Sequence, residues 1–340
     1  MCVLRVPLRV LWRYGLSAYD RRLMTDIAVK ITAKFALARD VVAIRLAPVN
    51  PSDRLPAFEA GAHIDVRLTD GLCRQYSLTN VGDSEAPAQY EIAVARDAAS
   101  RGGSLAMHDQ LHVGSRLSVS APRNLFGLDP SHQRIVLIAG GIGVTPLYAM
   151  AQQLCKQNVQ FQLIFCARSA VRMAYLEELR ALCGDRLLVH ADDERGHPID
   201  LDAALRAQPW DGVYACGPTG MLDAIADITV DWAPGVVRME RFTADPAVHA
   251  PGAVFALELR ASGLHTEVAA NESVLDAIER LGVAHSFSCR EGICGSCEAG
   301  VIEGTVDHRC AVLSQAEKDT QQMMMPCVSR CSSEKLVLNL

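Results

Sequence analysis

Clusters of basic residues are missing from this sequence. Its 33 Lys and Arg residues are outnumbered by 39 Asp and Glu residues, which leaves a net charge of −6. No run of Lys and Arg occurs, and no basic stretch is interleaved with aromatic residues. Proteins that bind nucleic acids usually carry such a patch to neutralise phosphates. The composition therefore argues against a nucleic-acid partner.

A secretory signal with an A-x-A-like cleavage site is also missing, so we expect a reducing, cytoplasmic location without disulfides. An uninterrupted apolar span is missing as well. Residues 135–155 carry no charge, but Gly140, Gly141, Gly143 and Pro146 interrupt them. This pattern predicts a buried strand, a tight turn and a helix. We expect no stable membrane association.

The first 23 residues are the one segment with a basic bias, because they hold five arginines and one aspartate. An amphipathic helix on a membrane surface is one interpretation. We expect instead a disordered leader without a function of its own, so that the folded protein opens at Met24.

Three blocks of different pattern follow, as expected for a chain of 340 residues. Residues 24–125 contain short stretches of alternating polarity, such as "IAVKITAKFAL", which predict an antiparallel β-barrel. Residues 126–242 alternate apolar strands such as "RIVLIA" with helical stretches, including "RMAYLEELRAL" at 172–182. This alternation predicts an α/β doubly wound parallel sheet. Residues 243–253, rich in Pro and Ala, are expected to form a linker.

The last block, residues 254–340, opens with a hairpin-like stretch and a short helix. Ser273 and Asp276 have the spacing of a capping box at the start of that helix, and Gly282 is placed to end it. A strand pair followed by a short helix predicts an α+β domain.

The densest chemistry lies directly after this helix, in "CREGICGSC". Cys289, Cys294 and Cys297 have the spacing C-x4-C-x2-C, and a fourth cysteine, Cys327, follows farther along. This is the ligand pattern of plant-type [2Fe–2S] ferredoxins. We expect these four residues to hold such a cluster.

Two glycines in the same loop fit this interpretation. Gly292 and Gly295 would let the backbone approach the sulfur atoms closely. A zinc site is the alternative, but structural zinc sites usually have a cysteine pair at both ends. Cys310 and Cys331 are then spare thiols, although Cys331 is near enough in sequence to compete with Cys327 for the fourth position.

From about Met24 to its end the chain resembles the phthalate dioxygenase reductase family, which includes vanillate demethylase reductases. Members have a flavin barrel, a nicotinamide domain and a C-terminal ferredoxin domain of the β-grasp type, in this order. The resemblance implies FMN, NADH and a [2Fe–2S] cluster as cofactors.

Two motifs of the barrel carry the flavin part of the resemblance: "RQYSL", residues 74–78, and "RGGS", residues 101–104. An arginine can fork onto phosphate oxygens, and glycines before a helix free backbone N–H groups for the same purpose. We also expect Ser104 to cap the helix that follows "RGGS". The resemblance assigns FMN binding to Arg74, Gln75, Tyr76, Ser77, Leu78, Gly102, Gly103 and Ser104.

Two further motifs carry the nicotinamide part. "AGGIGVTP" follows a buried strand and is a variant of the dinucleotide fingerprint, in which Thr145 can cap the helix or bond the ligand. "ACGPTGM" follows a later strand. The resemblance assigns NAD binding to Gly140, Gly141, Gly143, Thr145, Pro146, Arg168, Cys216, Gly217 and Pro218. Arg168 or Arg172 could accept a 2′-phosphate, yet in the family an arginine here accompanies NADH, which we therefore expect.

No convincing Ser/His/Asp set is present, so the protein is expected to act by positioning cofactors. The resemblance places Ser77, Cys216 and Phe242 near the site of hydride transfer, with Glu240 as an acidic neighbour of the flavin. It implies the reductase component of a multicomponent oxygenase, with a Rieske-type non-haem iron oxygenase for an aromatic or similar small substrate as partner. A cytochrome P450 or other haem acceptor is an alternative, and a redox sensor is another. We expect a monomer.

Overall fold

The structure is a computed structural model that describes residues 26–68, 72–81, 87–97 and 102–340. The predicted leader, residues 1–23, lies outside the described residues, as does Arg101.

An antiparallel barrel forms the first part. Its six strands follow the spatial order β4-β3-β6-β1-β2-β5, and the bridge between Leu78 and Ile92 joins the two outer strands. Because that bridge closes the sheet, its apolar faces enclose one core. One helix, α1 (Gly103–Asp109), leads into the last strand. The strands are β1 (Ile27–Ala38), β2 (Val41–Pro48), β3 (His63–Arg67), β4 (Cys73–Ser77), β5 (Tyr90–Ala95) and β6 (Arg116–Val119).

A five-stranded parallel sheet forms the second part, in the order β11-β10-β7-β8-β9. Its central strands are apolar throughout because helices cover both faces. The strands are β7 (Arg134–Gly140), β8 (Gln160–Ala167), β9 (Leu187–Ala191), β10 (Gly212–Cys216) and β11 (Val237–Glu240). The helices are α2 (Val144–Gln157), α3 (Leu176–Cys183), α4 (Asp192–Arg195), α5 (Leu201–Arg206) and α6 (Thr219–Ile228).

The third part is an α+β unit with a mixed five-stranded sheet, in the order β13-β12-β18-β14-β16, and a separate pair of β15 and β17. Strands β12 and β13 form the expected hairpin. The strands are β12 (Phe255–Leu259), β13 (Leu264–Val268), β14 (Ala299–Glu303), β15 (Val306–Asp307), β16 (Met323–Met324), β17 (Arg330–Cys331) and β18 (Lys335–Leu338). The helices are α7 (Val274–Arg280) and α8 (Gln315–Asp319). The three architectures confirm the predicted fold class.

Helix α7 begins as predicted. The Ser273 hydroxyl accepts a hydrogen bond from the Asp276 backbone N–H, and the Asp276 side chain accepts one from the Ser273 N–H. Gly282 follows the helix with φ of 76°. Such a cap satisfies backbone donors that the helix itself cannot reach.

The helix predicted over 172–182 is wrong at its start. Residues 170–172 form a 3-10 turn, Tyr175 has φ of 59°, and α3 begins only at Leu176. The left-handed backbone of Tyr175 places its ring against the ring of Tyr148. The Tyr175 hydroxyl donates to Thr79 and Glu91 in the barrel. This buried contact between two domains outweighs local helix preference.

The barrel and the parallel sheet share one apolar core, in which Val41, Ala93 and Phe126 of the barrel side pack with Leu147 and Met150 of α2. A continuous core holds the flavin motifs and the nicotinamide motifs in a defined relation.

The charge-free stretch 135–155 is strand β7, a tight turn and most of α2, as predicted. Within the part of the chain that the structure describes, no helix is both long and apolar enough to cross a membrane.

The segment predicted as a linker is ordered. A 3-10 turn covers Pro246–His249, where the Asp245 carboxylate accepts from the Ala247 N–H and Val248 is buried. Arg309 donates to the Ala250 carbonyl at 2.5 Å, and Arg330 donates to the Ala253 carbonyl at 2.9 Å. Hydrogen bonds thus hold this segment against the third part of the chain.

Candidate redox site

The two nicotinamide motifs meet at one edge of the parallel sheet. Strands β7 and β10 are hydrogen-bonded neighbours, and chain order reverses between them. In such sheets the carboxyl ends of the strands at the reversal form the ligand crevice. "GGIG" leaves β7 and "CGP" leaves β10 at this edge, so the crevice is lined by both motifs.

Glycines are required where these two loops touch. A Cβ atom at Gly143 would lie 2.2 Å from the Cys216 carbonyl oxygen. One at Gly140 would lie 2.6 Å from Cδ of Pro218, and one at Gly217 would lie 2.9 Å from Cα of Gly140. The loops therefore pack backbone to backbone, which places two glycine turns side by side at the edge where a pyrophosphate would bind.

Of the two roles expected for Thr145, a helix cap or a bond to the ligand, the structure excludes the cap. Helix α2 begins at Val144, so Thr145 lies inside its first turn, and its hydroxyl donates to the Ile142 carbonyl at 3.0 Å. Thr145 is buried and ties the glycine turn to the helix. Pro146 follows in the first turn, where a missing N–H costs the helix nothing.

The two arginines after β8 have different surroundings. Arg168 is exposed just beyond the end of the strand, at the edge that carries the glycine turn. Arg172 donates to Asp40 of the barrel at 2.7 Å. The ion pair with Asp40 makes Arg172 a contact between domains, so Arg168 is the better placed of the two to meet a ribose.

The two flavin motifs also come together. A Cβ atom at Gly103 would lie 2.7 Å from the Arg74 side chain, and one at Gly102 would lie 3.3 Å from Leu72. The start of α1 therefore rests on β4, with the Arg74 guanidinium at its N-terminus. A backbone amide cluster beside a guanidinium suits a phosphate group.

The expected cap by Ser104 is wrong, because α1 begins one residue earlier, at Gly103. The Ser104 hydroxyl accepts a hydrogen bond from the Asp97 N–H at 3.2 Å instead.

The motif "RQYSL", Arg74 to Leu78, presents its side chains to alternate faces of the barrel wall. Tyr76 pairs with Ile64 and Ser77 pairs with His63 across β3. Burial raises the pKa of Tyr76 to about 12, so its hydroxyl keeps its proton. Ser77 is buried, and Leu78 is fully buried at the barrel closure.

A buried carboxyl lies beside the nicotinamide crevice. Glu240 of β11 pairs with Cys216 of β10, and its Oε2 atom is buried without a partner among the described residues. Burial raises the pKa of Glu240 to about 8. Burial and the Glu240 charge raise the pKa of Cys216 well above its ordinary value. Phe242, two residues on, is 37% exposed.

The four cysteines of the ferredoxin pattern lie in two pairs. Cys297 and Cys327 have their sulfur atoms 3.3 Å apart, and Cys289 is hydrogen-bonded to Cys294. The bond from Cys289 lowers the pKa of Cys294 to about 6, and the bond with Cys327 lowers the pKa of Cys297. The same bonds raise the pKa of Cys289 and Cys327.

The loop around these thiols is tightly folded. Gly292 and Gly295 have φ of 68° and 70°. A Cβ atom at Gly292 would lie 2.5 Å from Val328. The loop therefore wraps closely around the thiols, which lie in two pairs and would supply the four ligands of a [2Fe–2S] cluster.

The spare thiols have other surroundings. Cys331 belongs to β17, and its sulfur lies 3.1 Å from the Ser333 hydroxyl and 3.4 Å from the Lys335 carbonyl. Cys310 is buried in the wall of the loop, where its Cα would lie 3.2 Å from a Cβ atom at Gly292.

Comparison with known proteins agrees with this arrangement. The model of the 2Fe-2S iron-sulfur cluster binding domain matches residues 257–332, and the oxidoreductase NAD-binding domain matches residues 137–227. A toluene-4-sulfonate monooxygenase system reductase subunit from Comamonas testosteroni is 51% identical over 315 residues, which cover 93% of this chain and 99% of the relative. A vanillate O-demethylase oxidoreductase from Pseudomonas putida is 40% identical over 309 residues, 89% of this chain and 96% of the relative.

Among solved structures, phthalate dioxygenase reductase superposes with a TM-score of 0.67 at 36% identity, over 93% of this chain and 98% of that one. This chain belongs to the phthalate dioxygenase reductase family. It is an electron-transfer oxidoreductase of the FMN, NADH and [2Fe–2S] type, as the resemblance implied.

The family's domains also occur within longer proteins. An intact type IV self-sufficient cytochrome P450 monooxygenase matches with a TM-score of 0.83 at 36% identity. The match covers 93% of this chain, which spans only 41% of the P450 chain.

One group of polar residues escaped the sequence analysis. Asp65 of β3 and Arg123, just after the barrel, lie beside the cysteine loop, where Cys73 of β4 contacts Ser288 at 3.2 Å. No motif marks these residues, because strand pairing and domain docking bring them together.

Proposed function

We propose that this chain is the reductase component of a multicomponent oxygenase, with electrons entering from NADH and leaving through the C-terminal cluster toward a Rieske-type non-haem iron oxygenase. One observation carries this proposal. Ser288, at the start of the loop that holds the first three cysteines, touches barrel strands β3 and β4, and β4 carries the flavin motif. The flavin site and the cluster site are therefore neighbours.

At the nicotinamide crevice the residues bind and orient. Backbone N–H groups of Gly140, Gly141 and Gly143 would hold a pyrophosphate, and Arg168 would meet a ribose. The "CGP" loop, Cys216 to Pro218, would border the nicotinamide ring. Thr145 and Pro146 hold the turn from behind, since Thr145 is buried and bonded to Ile142.

At the flavin site Arg74 and the N–H groups of Gly102, Gly103 and Ser104 would hold the FMN phosphate. Gln75, Tyr76 and Ser77 would lie against the flavin, and Leu78, which is fully buried, would support them from within the barrel. When bound, FMN would supply the conversion of a two-electron hydride into single electrons. Ser77, Cys216 and Phe242 would lie near the position of hydride transfer.

At the cluster site Cys289, Cys294, Cys297 and Cys327 would be the ligands. Their sulfur atoms lie in two pairs, Cys289 with Cys294 and Cys297 with Cys327. Cys331 is excluded because its sulfur, in strand β17, is engaged with the Ser333 hydroxyl and the Lys335 carbonyl.

The oxygenase partner acts on an aromatic acid or a similar small molecule. This assignment is supported by the relative of the toluene-4-sulfonate monooxygenase system and by the vanillate O-demethylase oxidoreductase. A haem acceptor is the second candidate, because the same three domains occur in a self-sufficient cytochrome P450.

The test is composition followed by acceptor choice. Anaerobically purified protein should contain two irons, two inorganic sulfides and one FMN per chain, and should oxidise NADH with ferricyanide or cytochrome c. A Rieske oxygenase for an aromatic acid should be reduced faster than a cytochrome P450. Zinc in place of iron would refute the cluster, and preference for the P450 would move the proposal to the haem acceptor.

A further inference from the structure

The barrel contacts the cluster loop, residues 289–297, through Ser288, the residue directly before Cys289. The Ser288 hydroxyl lies 3.2 Å from the Cys73 sulfur and is hydrogen-bonded to the Asp65 carboxylate. Asp65 belongs to β3 and Cys73 to β4. Two adjacent strands of the flavin barrel thus hold the backbone that presents a cluster ligand.

A buried charge pair lies at the centre of this contact. Arg123 donates to Asp65 Oδ1 at 2.8 Å, and Gln75 donates to the same oxygen at 3.2 Å. Burial alone would raise the pKa of Asp65, but the hydrogen bond and charge of Arg123 outweigh it and hold the pKa below its ordinary value. Asp65 is 1% exposed. Both groups are therefore charged in a poorly solvated place.

Arg123 is held firmly and faces the cluster loop. Its backbone N–H and carbonyl both bond to His63 of β3, at 3.0 and 2.9 Å. Its Nε atom is buried without a partner among the described residues. Its guanidinium lies within electrostatic range of the Cys294 thiol. The loop also packs here, since a Cβ atom at Gly295 would lie 3.3 Å from Leu125.

The charge of Arg123 reaches a cluster ligand. The charges of both Arg123 and Asp65 act on Cys73, and the charge of Arg123 also acts on Cys294. Arg123 therefore brings a positive charge to a cluster ligand, whereas the Asp65 carboxylate is bonded to Ser288, outside the four ligands. Uptake of one electron, with no proton, adds one negative charge at the cluster, and a fixed positive charge in a poorly solvated site favours that state.

We propose that Arg123 is a positioning residue for electron transfer: held by Asp65, it docks the cluster loop onto the flavin barrel and makes the cluster easier to reduce. This inference rests on the proposed cluster site. It assigns a task to a guanidinium that touches neither the nicotinamide crevice nor the glycines of the flavin site.

The experiment compares the holoenzyme with the variants Arg123→Gln and Arg123→Lys. Arg238→Gln is the matched control, because Arg238 donates to Asp129 at 2.6 Å with 28% of its side chain exposed, against 27% for Arg123. Potentials of FMN and cluster are measured by redox titration, with EPR for the cluster. Docking is measured by limited proteolysis of residues 243–253, with and without cofactors.

Arg123→Gln should shift the reduction equilibrium of the cluster about tenfold toward the oxidised form, which is about 59 mV for one electron. The FMN potential should stay unchanged, and cleavage of residues 243–253 should accelerate severalfold. Arg123→Lys should leave the reduction potential of the cluster close to the wild-type value, because the positive charge remains. Arg238→Gln should change neither reading.

An unchanged cluster potential in Arg123→Gln, or an equal shift in Arg238→Gln, would overturn the inference. If Arg123→Gln cannot be loaded with cluster, the cleavage rates of unloaded proteins decide it, and equal rates refute docking by Arg123. A wild-type protein without a [2Fe–2S] signal would instead refute the proposed function.

Discussion

Cys327 and Cys331 are four positions apart and both buried, yet their sulfur atoms have different neighbours. The Cys327 sulfur lies 3.3 Å from Cys297, whereas the Cys331 sulfur lies beside Ser333 and Lys335. A cluster ligand must point toward the other ligands. The direction of the sulfur atom, and not its position along the chain, therefore decides which cysteine is the fourth ligand.

Cys327→Ser should therefore lose or badly destabilise the cluster, because a serine oxygen is a poor ligand for iron–sulfide centres. The variant should keep FMN and reduce ferricyanide, but reduce cytochrome c at a small fraction of the wild-type rate. Cys331→Ser is the matched control and should keep the visible and EPR spectra of the cluster. Loss of the EPR signal in Cys331→Ser, with Cys327→Ser intact, would exchange the two assignments.

Glu240 carries a different prediction, which concerns pH. Burial raises its pKa from 4.5 to about 8 in the folded protein. Between these values the folded state keeps a proton that the unfolded state has released, so stability falls as pH rises. Glu240→Gln removes this dependence, and its stability relative to wild type should grow by up to about 1.4 kcal/mol per pH unit over this range.

Thermal unfolding of both proteins from pH 5 to 9 measures the difference. Infrared spectra should show a protonated carboxyl band that fades near pH 8 in wild type and is absent from Glu240→Gln. A constant difference in melting temperature across this range would contradict the raised pKa.

The turns that follow β7 and β10 pack directly against each other. A side chain at a glycine of one turn would collide with atoms of the other turn. Gly143→Ala would place a methyl group 2.2 Å from the Cys216 carbonyl oxygen. Backbone atoms cannot swing aside as a flexible side chain can, so the loops must separate. Overpacking of this kind costs about 1–3 kcal/mol.

We expect Gly143→Ala to bind NADH at least about tenfold more weakly, because the separated loops no longer present their N–H groups together. FMN content should be unchanged. Gly220→Ala is the control, since a Cβ atom there meets nothing within 4 Å and lies in helix α6 near the same edge. Titration of the oxidised protein with NADH analogues gives the affinities, and equal affinities in the two variants would contradict the packing argument.

Charge distribution over the third part of the chain bears on how the protein meets its acceptor. Residues 252–340 contain 12 Asp and Glu against 7 Lys and Arg, a net charge of −5. Arg290, in the cysteine loop, is held by Asp276 and Glu279 of α7, at 2.7 and 2.5 Å. This basic residue of the cysteine loop is thus neutralised by ion pairs, and the third part of the chain as a whole stays negatively charged.

Electron transfer to the oxygenase should therefore slow severalfold between low salt and about 0.3 M, because screening weakens long-range attraction to a basic patch on the partner. Turnover of NADH with ferricyanide should change little and serves as the control. Stopped-flow reduction of the oxygenase measures the rate. A partner rate indifferent to salt would rule out electrostatic steering.

Much of the outline was predictable from local pattern. The alternation of "IAVKITAKFAL" predicted β1, the apolar "RIVLIA" predicted β7, and the capping box at Ser273 predicted the start of α7. The spacing of Cys289, Cys294 and Cys297 singled out the cluster loop. These features depend on neighbours in sequence, so a single chain without relatives is enough to reveal them.

Other features required the packed molecule. Tyr175 breaks a predicted helix because its hydroxyl bonds to Thr79 and Glu91 in another domain. Ser104 and Thr145 lie within helices that they were expected to cap, because each helix begins at the residue before it. The pairing of Arg123 with Asp65 joins residues far apart in the chain.

The sequence by itself determined the order of three domains and the cysteine pattern of the cluster, since periodicity and motif spacing are local properties of the chain, and its resemblance to a known family implied FMN and NADH. Only the tertiary structure decided which cysteine stands apart from the ligand pairs, which arginine is taken by an ion pair and which charge faces the cluster. Those outcomes depend on burial and on distances between segments remote in sequence, because electrostatic energy depends on where groups meet and on how much water remains between them.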